Sequence, residues 1–413
     1  MPSPYTRCCA ASAALFAALL AGTAAFCVAT DPHDVFASLS PRALDEYRNH
    51  RSRAAKSARV ARGGIDVLLL GTSRVEAGFD PREPAWGEGT VYNAGLGGGN
   101  QFETNHALAL ALSAAPPRRA VIAVDLLGMR AGEEGQRDFA RSYFDPRREV
   151  VEFWGGHLFG RDALQRGLKV LRRAARGEPG ANRPDGFRRP PEQQAAFDHR
   201  KLFEGVVRGF LITTYNSAFV YDEERVAHLQ RLLGEARAKG VEAVVVVPPV
   251  HALLLEAMHV GGVWPLFERH LRSLEAAVEA ANRLDAPGPP VALWSFVDYA
   301  GACAEEVPPA GSAERMRWWV EGSHFLPALG ARIARRLFAG GGSEPGFGQR
   351  LGAGRTEAYL AALRERRAVY VREAADEVAW VHRLLRDVAA ERAQAERRAQ
   401  ALLRAATRDG WLR

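Results

Sequence analysis

Five short runs rich in β-branched residues, separated by helical stretches, predict an α/β protein. The expected form is a three-layer, doubly wound sheet of five parallel strands, with a large helical insertion and a long C-terminal helix. Three observations carry this reading. The runs are nearly continuous in Val, Ile and Leu, as in strands covered on both faces. They end in Gly, Pro, Asn or Asp, residues that suit the turn before a crossover helix. A chain of 413 residues, 47% of them apolar, suffices for a sizeable core.

Taken in order, residues 1–30 come first as a targeting or anchoring segment. The stretch 8–30 follows Arg7 and carries no charge. It is long enough to span a bilayer. Its Ala-rich composition also fits a cleaved signal peptide. No lipobox is present, since Cys27 follows Ala-Ala-Phe. The favoured reading is an uncleaved signal anchor in a bacterial inner membrane, with the body on the extracytoplasmic side. Arg42, Arg48 and Arg51 after the span, against Arg7 alone before it, run counter to the positive-inside rule. Residues 31–64 then form an Arg-rich juxtamembrane stretch, expected to be a solvated spacer, with anionic lipid headgroups as its functional alternative.

The α/β body is expected over 65–338. Its strands are predicted at 65–70, 90–93, 120–125, 241–247 and 290–296, with a helix over 101–114 between the second and third. The connection 126–240 is too long for one crossover. It contains helical stretches at 161–176, 203–210 and 222–239, interrupted by a Pro/Gly/Arg-rich segment, 177–191, expected to be an exposed loop. This insertion is read as a lid over the strand ends. A last helix over 328–338 leads to a Gly-rich linker, 339–355. Residues 356–413 are expected to hold one long amphipathic helix, with a thin apolar or Ala seam through 360, 363, 371, 374, 378, 381, 385, 388, 395, 399 and 402. That helix is expected to pack on its own body or in a coiled coil; a homo-oligomer, a partner protein or a membrane surface are its functional alternatives.

Composition excludes several classes. The net charge of +7 comes almost wholly from Arg. No Lys/Arg run with interleaved aromatics is present, so nucleic acid is not an expected partner. Of the four cysteines, Cys8, Cys9 and Cys27 lie in the N-terminal segment and only Cys303 in the body, which excludes an internal disulfide framework and a CxxC metal site. No GxGxxG or GxxxxGK[ST] opens a helix after a strand, so neither a nucleotide cofactor nor a metal is expected.

The chemistry centres on Ser73, in the Gly-Thr-Ser-Arg turn after the first strand. Open α/β sheets place ligands just past such strand ends, and the following helix N-terminus favours developing negative charge. A serine nucleophile needs a base and a group that orients the base. Residues 318–327, Trp-Trp-Val-Glu-Gly-Ser-His-Phe-Leu-Pro, supply Glu321 three residues before His324. This loop falls after the fifth strand and before the last helix, on the same sheet edge as Ser73. The Gly97-Gly98-Gly99 run after the second strand fits a tight turn into a helix, or a backbone that approaches a substrate closely.

The segments Gly71-Thr-Ser-Arg, Tyr92-Asn-Ala-Gly-Leu-Gly-Gly-Gly and Glu321-Gly-Ser-His resemble blocks one, two and five of the SGNH (GDSL-type) hydrolase superfamily. Pro248-Pro-Val-His and Ser323-His-Phe-Leu-Pro-Ala-Leu-Gly are similar to segments of bacterial, N-terminally anchored members of that group. The resemblance covers about residues 31–338 and implies an SGNH, flavodoxin-like sheet. It implies Ser73 as nucleophile, His324 as base oriented by Glu321, and an oxyanion site from the Ser73 and Gly98 amides, with Arg74 beside it. It also implies acyl esters of cell-envelope glycan as substrates, without a cofactor. The chain departs from the pattern where the third strand ends in Asp125 instead of the family's Asn. Asn93 and Asn100 are candidate replacements, Asp298 is a rival orienting acid, and His251 a further pocket candidate. The missing Asn opens an alternative: a catalytically degenerate glycan-binding or assembly protein. A purely structural, membrane-tethered partner protein, acting through the C-terminal helix, is a third reading.

Overall fold

The computed structural model describes residues 3–36, 39–132, 134–190, 197–339 and 346–408, with side chains described to residue 400. In chain order its elements are α1 (Pro4–Thr30), α2 (Arg53–Ala61), β1 (Val67–Leu70), α3 (Ser73–Gly78), β2 (Val91–Asn93), α4 (Gln101–Ala114) and β3 (Arg119–Ala123). Then follow α5 (Val150–Phe159), α6 (Arg161–Arg176), α7 (His199–Thr213), α8 (Glu223–Ala238), β4 (Glu242–Val247), α9 (Ala252–Val260) and α10 (Trp264–Asn282). The last are β5 (Ala292–Ser295), α11 (Pro327–Phe338), β6 (Gln349–Leu351), α12 (Arg355–Glu373) and α13 (Ala375–Arg408).

The sheet runs β2-β1-β3-β4-β5-β6. The first five strands are parallel and β6 is antiparallel to β5. The chain leaves β1 toward β2 and returns to the other side of β1 as β3. That reversal makes the carboxyl ends of β1 and β3 the place where an open sheet leaves a crevice. All four residues of β1 are buried. Fully burying each Val or Leu there is worth roughly 1.5–3 kcal/mol, enough to fix where its last turn stands.

Four expectations need correction. The stretch 31–64 is not a solvated spacer: Arg48, His50, Arg53, Lys56 and Ser57 are buried along with Ala54, Ala55, Ala58 and Val60. The charged members go inside because partners meet them, Arg53 donating to both oxygens of Glu103 at 2.5 and 2.7 Å. Segment 177–191 is in part a buried turn: Asn182 bridges Arg188, and the side chains of Asn182 and Phe187 are buried. The Gly-rich stretch 339–355 ends in β6, because Leu351 pairs with Leu293 at the sheet edge; its residues 340–345 lie outside the described residues. The C-terminal helix divides at Ala374, whose φ/ψ of −108°/40° leaves the helical region.

The seam of that helix is spent on the body. Leu360, Leu363, Val378, Val381 and Val388 are buried, and Arg367 pairs with the fully buried Glu256 at 2.7 and 2.9 Å. Ala395 and Ala399 remain exposed. At the other end, α1 is 27 residues long with mean hydropathy 2.0 across its most apolar window, long and apolar enough to cross a membrane.

Candidate active site

β1 ends at Leu70, and Thr72 bridges Leu96 beyond β2, extending the parallel pairing past both strands. One residue beyond that bridge on each strand stand Ser73 and Gly97. Ser73 opens α3, so its amide belongs to the first turn and has no partner within the helix. Gly98 follows at φ +64°, a left-handed conformation that glycine adopts without strain. Its carbonyl accepts from Gln136 Nε2 at 3.0 Å. The glycine turn therefore flanks the serine, with Gly97 its neighbour in register and Gly98 exposed one residue on.

The histidine arrives on a tight hairpin. Trp319 bridges Phe325, the Val320 amide donates to the His324 carbonyl at 2.9 Å, and the His324 amide donates to the Glu321 carbonyl at 3.2 Å. Three residues of separation thus fold Glu321 back onto His324. Phe325 then sits against Gly78, where any Cβ would overlap its ring. Gly78 ends α3, so this close approach seats the hairpin directly on the helix that Ser73 begins.

The outcome is a connected relay. His324 Nε2 lies 2.8 Å from Ser73 Oγ, and Nδ1 is hydrogen-bonded to Glu321 Oε1. An ionised carboxylate can only accept, so the proton sits on Nδ1 and Nε2 is left to accept from the serine hydroxyl. The second oxygen of Glu321 accepts from the Ser323 amide at 2.8 Å. Glu321 is buried, whereas His324 and Ser73 are half-buried. A cavity of about 210 Å³ opens beside His324, lined by Ala77, Arg188, Arg189, Phe325, Leu326 and Pro327 among others. A larger cleft of about 560 Å³ opens on the Gly97 side, lined by Arg51, Arg137 and Arg141.

The remaining candidates lie elsewhere or are otherwise engaged. Asn93 is buried and spends both amide hydrogens on the Val75 and Phe79 carbonyls, each at 2.8 Å, so it closes the end of α3 and donates nothing to a substrate. Asn100 caps α4 through the Glu103 amide. His251 is buried, with Nδ1 accepting from the Leu253 amide at 3.2 Å and Nε2 donating to the Glu305 carbonyl at 2.7 Å. Burial pushes its pKa down to about 4. Asp298 pairs with Arg366 of α12 at 2.7 Å. Burial raises its pKa, partly offset by that guanidinium, and its hydrogen bond to the Tyr299 amide binds it to its own loop.

Asp125 and Arg74 have a shared task that sequence alone did not reveal. Asp125 Oδ2 accepts from Thr72 Oγ1 at 2.9 Å and lies 3.4 Å from Arg74 Nη1, so one carboxylate grips both neighbours of Ser73. Arg74 is buried and turns away from solvent, donating to the Ser323 carbonyl at 3.1 Å and to Ser323 Oγ at 3.2–3.3 Å. It ties the serine turn to the residue before His324. Beneath the glycine turn, the fully buried Lys56 meets the Gly95 and Gly186 carbonyls and lies 3.6 Å from Glu76 Oε1. Burial lowers its pKa to about 8. Scarce lysine in a basic chain was the only available signal for it.

For a metal, the described residues bring ligand atoms of Asp34, Asp45 and His50 together. Arg48 and Arg62 already pair with those carboxylates, at 3.2–3.6 Å and 2.6 Å, and none of the three borders Ser73. Comparisons with protein-family models, with curated proteins and with solved structures return no match.

Proposed function

We propose that the chain is an SGNH-like serine esterase or O-acyltransferase, acting on acyl esters of cell-envelope glycan. The observation that carries the reading is the continuous Ser73–His324–Glu321 relay, half-open to solvent at the rim of a parallel sheet. In the reaction Ser73 Oγ attacks the acyl carbonyl carbon as its proton passes to His324 Nε2. The imidazolium is stabilised by the buried Glu321 carboxylate. Charge on the former carbonyl oxygen meets the Ser73 amide and an amide of the glycine turn. Collapse expels the alcohol, which takes the proton from His324 and leaves an acyl-serine. Water or a sugar hydroxyl, deprotonated in turn by His324, then carries the acyl group away.

The apolar α1 supports a single-pass anchor, and we place that anchor in the bacterial inner membrane with the body extracytoplasmic. Arg48, which counted against that orientation, is buried and paired with Asp34 and Asp45, so it is not a free juxtamembrane charge. Release of acetate from an aryl acetate or an O-acetylated glycan, by the full chain in detergent, tests the reading. Wild-type protein turns over and Ser73→Ala does not; equal rates in both reject it.

One observation favours a second reading, a glycan-binding protein without turnover. Asp125 and Asn93 are both committed to holding backbone and neighbours, which leaves the oxyanion site to main-chain amides. Glycan binding that persists in His324→Ala, with no acetate released by wild type, selects it.

A further inference from the structure

Helices α5 and α6, joined at Gly160, form a hairpin that leaves large apolar side chains exposed. On α5, Phe153 and His157 face inward, while Val150, Val151, Trp154 and Phe159 are 59, 85, 37 and 45% exposed. They form one arc of the helix, with no charged side chain among them. On α6, Ala163, Gly167 and Val170 face inward. Leu168 and Leu171 point outward at 47 and 42% exposure, in line with the half-buried Leu164 at helical spacing. The α6 sequence carries six cations and one acid. Among the described residues, the side chains of Lys169 and Arg172, next to Leu168 and Leu171 in the chain, show no ion pair or hydrogen bond. An exposed apolar stripe edged by unpaired cations is the make-up of a helix lying in a membrane interface.

The position agrees with the composition. Both helices pack against α1, whose buried residues, Cys27 and Thr30, lie at its C-terminal end. A Cβ at Gly167 would run into Phe26 and Thr30, so α6 crosses α1 in direct contact. The exposed apolar part of α1 reaches Leu19 and Leu20, and Leu19 precedes Phe26 by about 10 Å of helix rise. A span of about 20 residues beginning at the start of α1 therefore ends beside the hairpin.

We propose that the α5–α6 hairpin is a second membrane contact, seated on an anionic phospholipid bilayer with its apolar arc at the acyl boundary and Lys169 and Arg172 at lipid phosphates. The proposal rests on the reading of α1 as the membrane span. Residues of both helices, Phe153, His157 and Ala163 among them, line the roughly 560 Å³ cleft that Gly97 also lines.

The test uses the full chain carrying Cys8→Ser and Cys9→Ser, reconstituted in phosphatidylcholine vesicles with and without phosphatidylglycerol. Nitroxides are placed one at a time through Leu15→Cys, Val151→Cys, Leu168→Cys and, as a water-facing reference, Leu284→Cys, itself 54% exposed. Collision with oxygen is compared with collision with a water-soluble nickel chelate. Oxygen should dominate at positions 15, 151 and 168 and nickel at 284. The oxygen preference at 168 should weaken without phosphatidylglycerol, or when Lys169→Gln and Arg172→Gln are combined. Oxygen at 15 with nickel at 151 and 168 overturns the proposal while leaving the anchor intact. Nickel at 15 removes the anchor and this proposal with it. Dilution-sensitive spin–spin broadening at 151 assigns the face to a second copy and overturns the proposal.

Discussion

Two histidines stand on neighbouring loops at one end of the sheet, and they differ in what surrounds them. His251 follows β4, is 2% exposed, and has both ring nitrogens engaged by backbone groups of its own and the next loop. His324 follows β5 and keeps 29% of its side chain open, with one nitrogen turned to Glu321 and the other to a serine hydroxyl. The two loops touch, since the His251 amide donates to the Gly322 carbonyl at 3.1 Å. What separates the two imidazoles is the identity of their partners. A carbonyl and an amide hold the neutral His251, whereas His324 lies between a buried carboxylate and a serine hydroxyl.

The largest expected effect comes from abolishing the difference. His324→Ala should lower ester turnover by roughly 10³-fold or more, measured as acetate release, while His251→Gln keeps most of the rate. Equal losses in the two variants would break the contrast. Next, Glu321→Gln should cost on the order of 10³-fold in kcat with little change in KM, because the amide can donate to Nδ1 and so stabilise the wrong tautomer. Glu321→Asp should recover part of that loss.

Gly78→Ala forces Phe325 to move, and the His324 hairpin with it. Misplacement by about 1 Å is worth roughly 10²-fold in kcat. Circular dichroism should still report a folded chain, which separates displacement from unfolding.

His251 predicts a pH signature in stability. Its folded pKa, about 4, lies below its ordinary 6.5, so the unfolded chain takes up a proton first as pH falls. The stability linked to it is present in full above pH 6.5 and is lost between 6.5 and 4. His270, fully buried against Tyr221 and also pushed to about 4 by burial, behaves alike. Each shift corresponds to about 3 kcal/mol. Denaturant midpoints across this window should fall, and less steeply in His270→Gln. The smallest effect is expected from Asp298→Asn, which should leave kcat unchanged, since that carboxylate serves Arg366.

What the sequence made legible was local. The strand runs stand out because burial on both faces leaves no polar positions. Ser73 and the Glu321–His324 pair stand out because three-residue spacing and a strand-end turn are short-range patterns. The rest depends on partners far away in the chain. Arg53 and Lys56 look like residues of a solvated spacer until Glu103 and Glu76 are seen beside them. Asp125 looks like a defect in a familiar pattern until Thr72 and Arg74 are seen in its grip. The short β6 follows a Gly-rich stretch and owes its pairing to the open edge of β5, which composition cannot display.

The central claim is that Ser73 is a nucleophile activated by His324. Treating the full chain with a fluorophosphonate and mapping the adduct by peptide mass spectrometry tests it most directly. The account predicts a single phosphonyl adduct on Ser73, lost in His324→Ala and retained in Asp298→Asn. Folded protein that takes up no adduct, or takes it up on another residue, would contradict it.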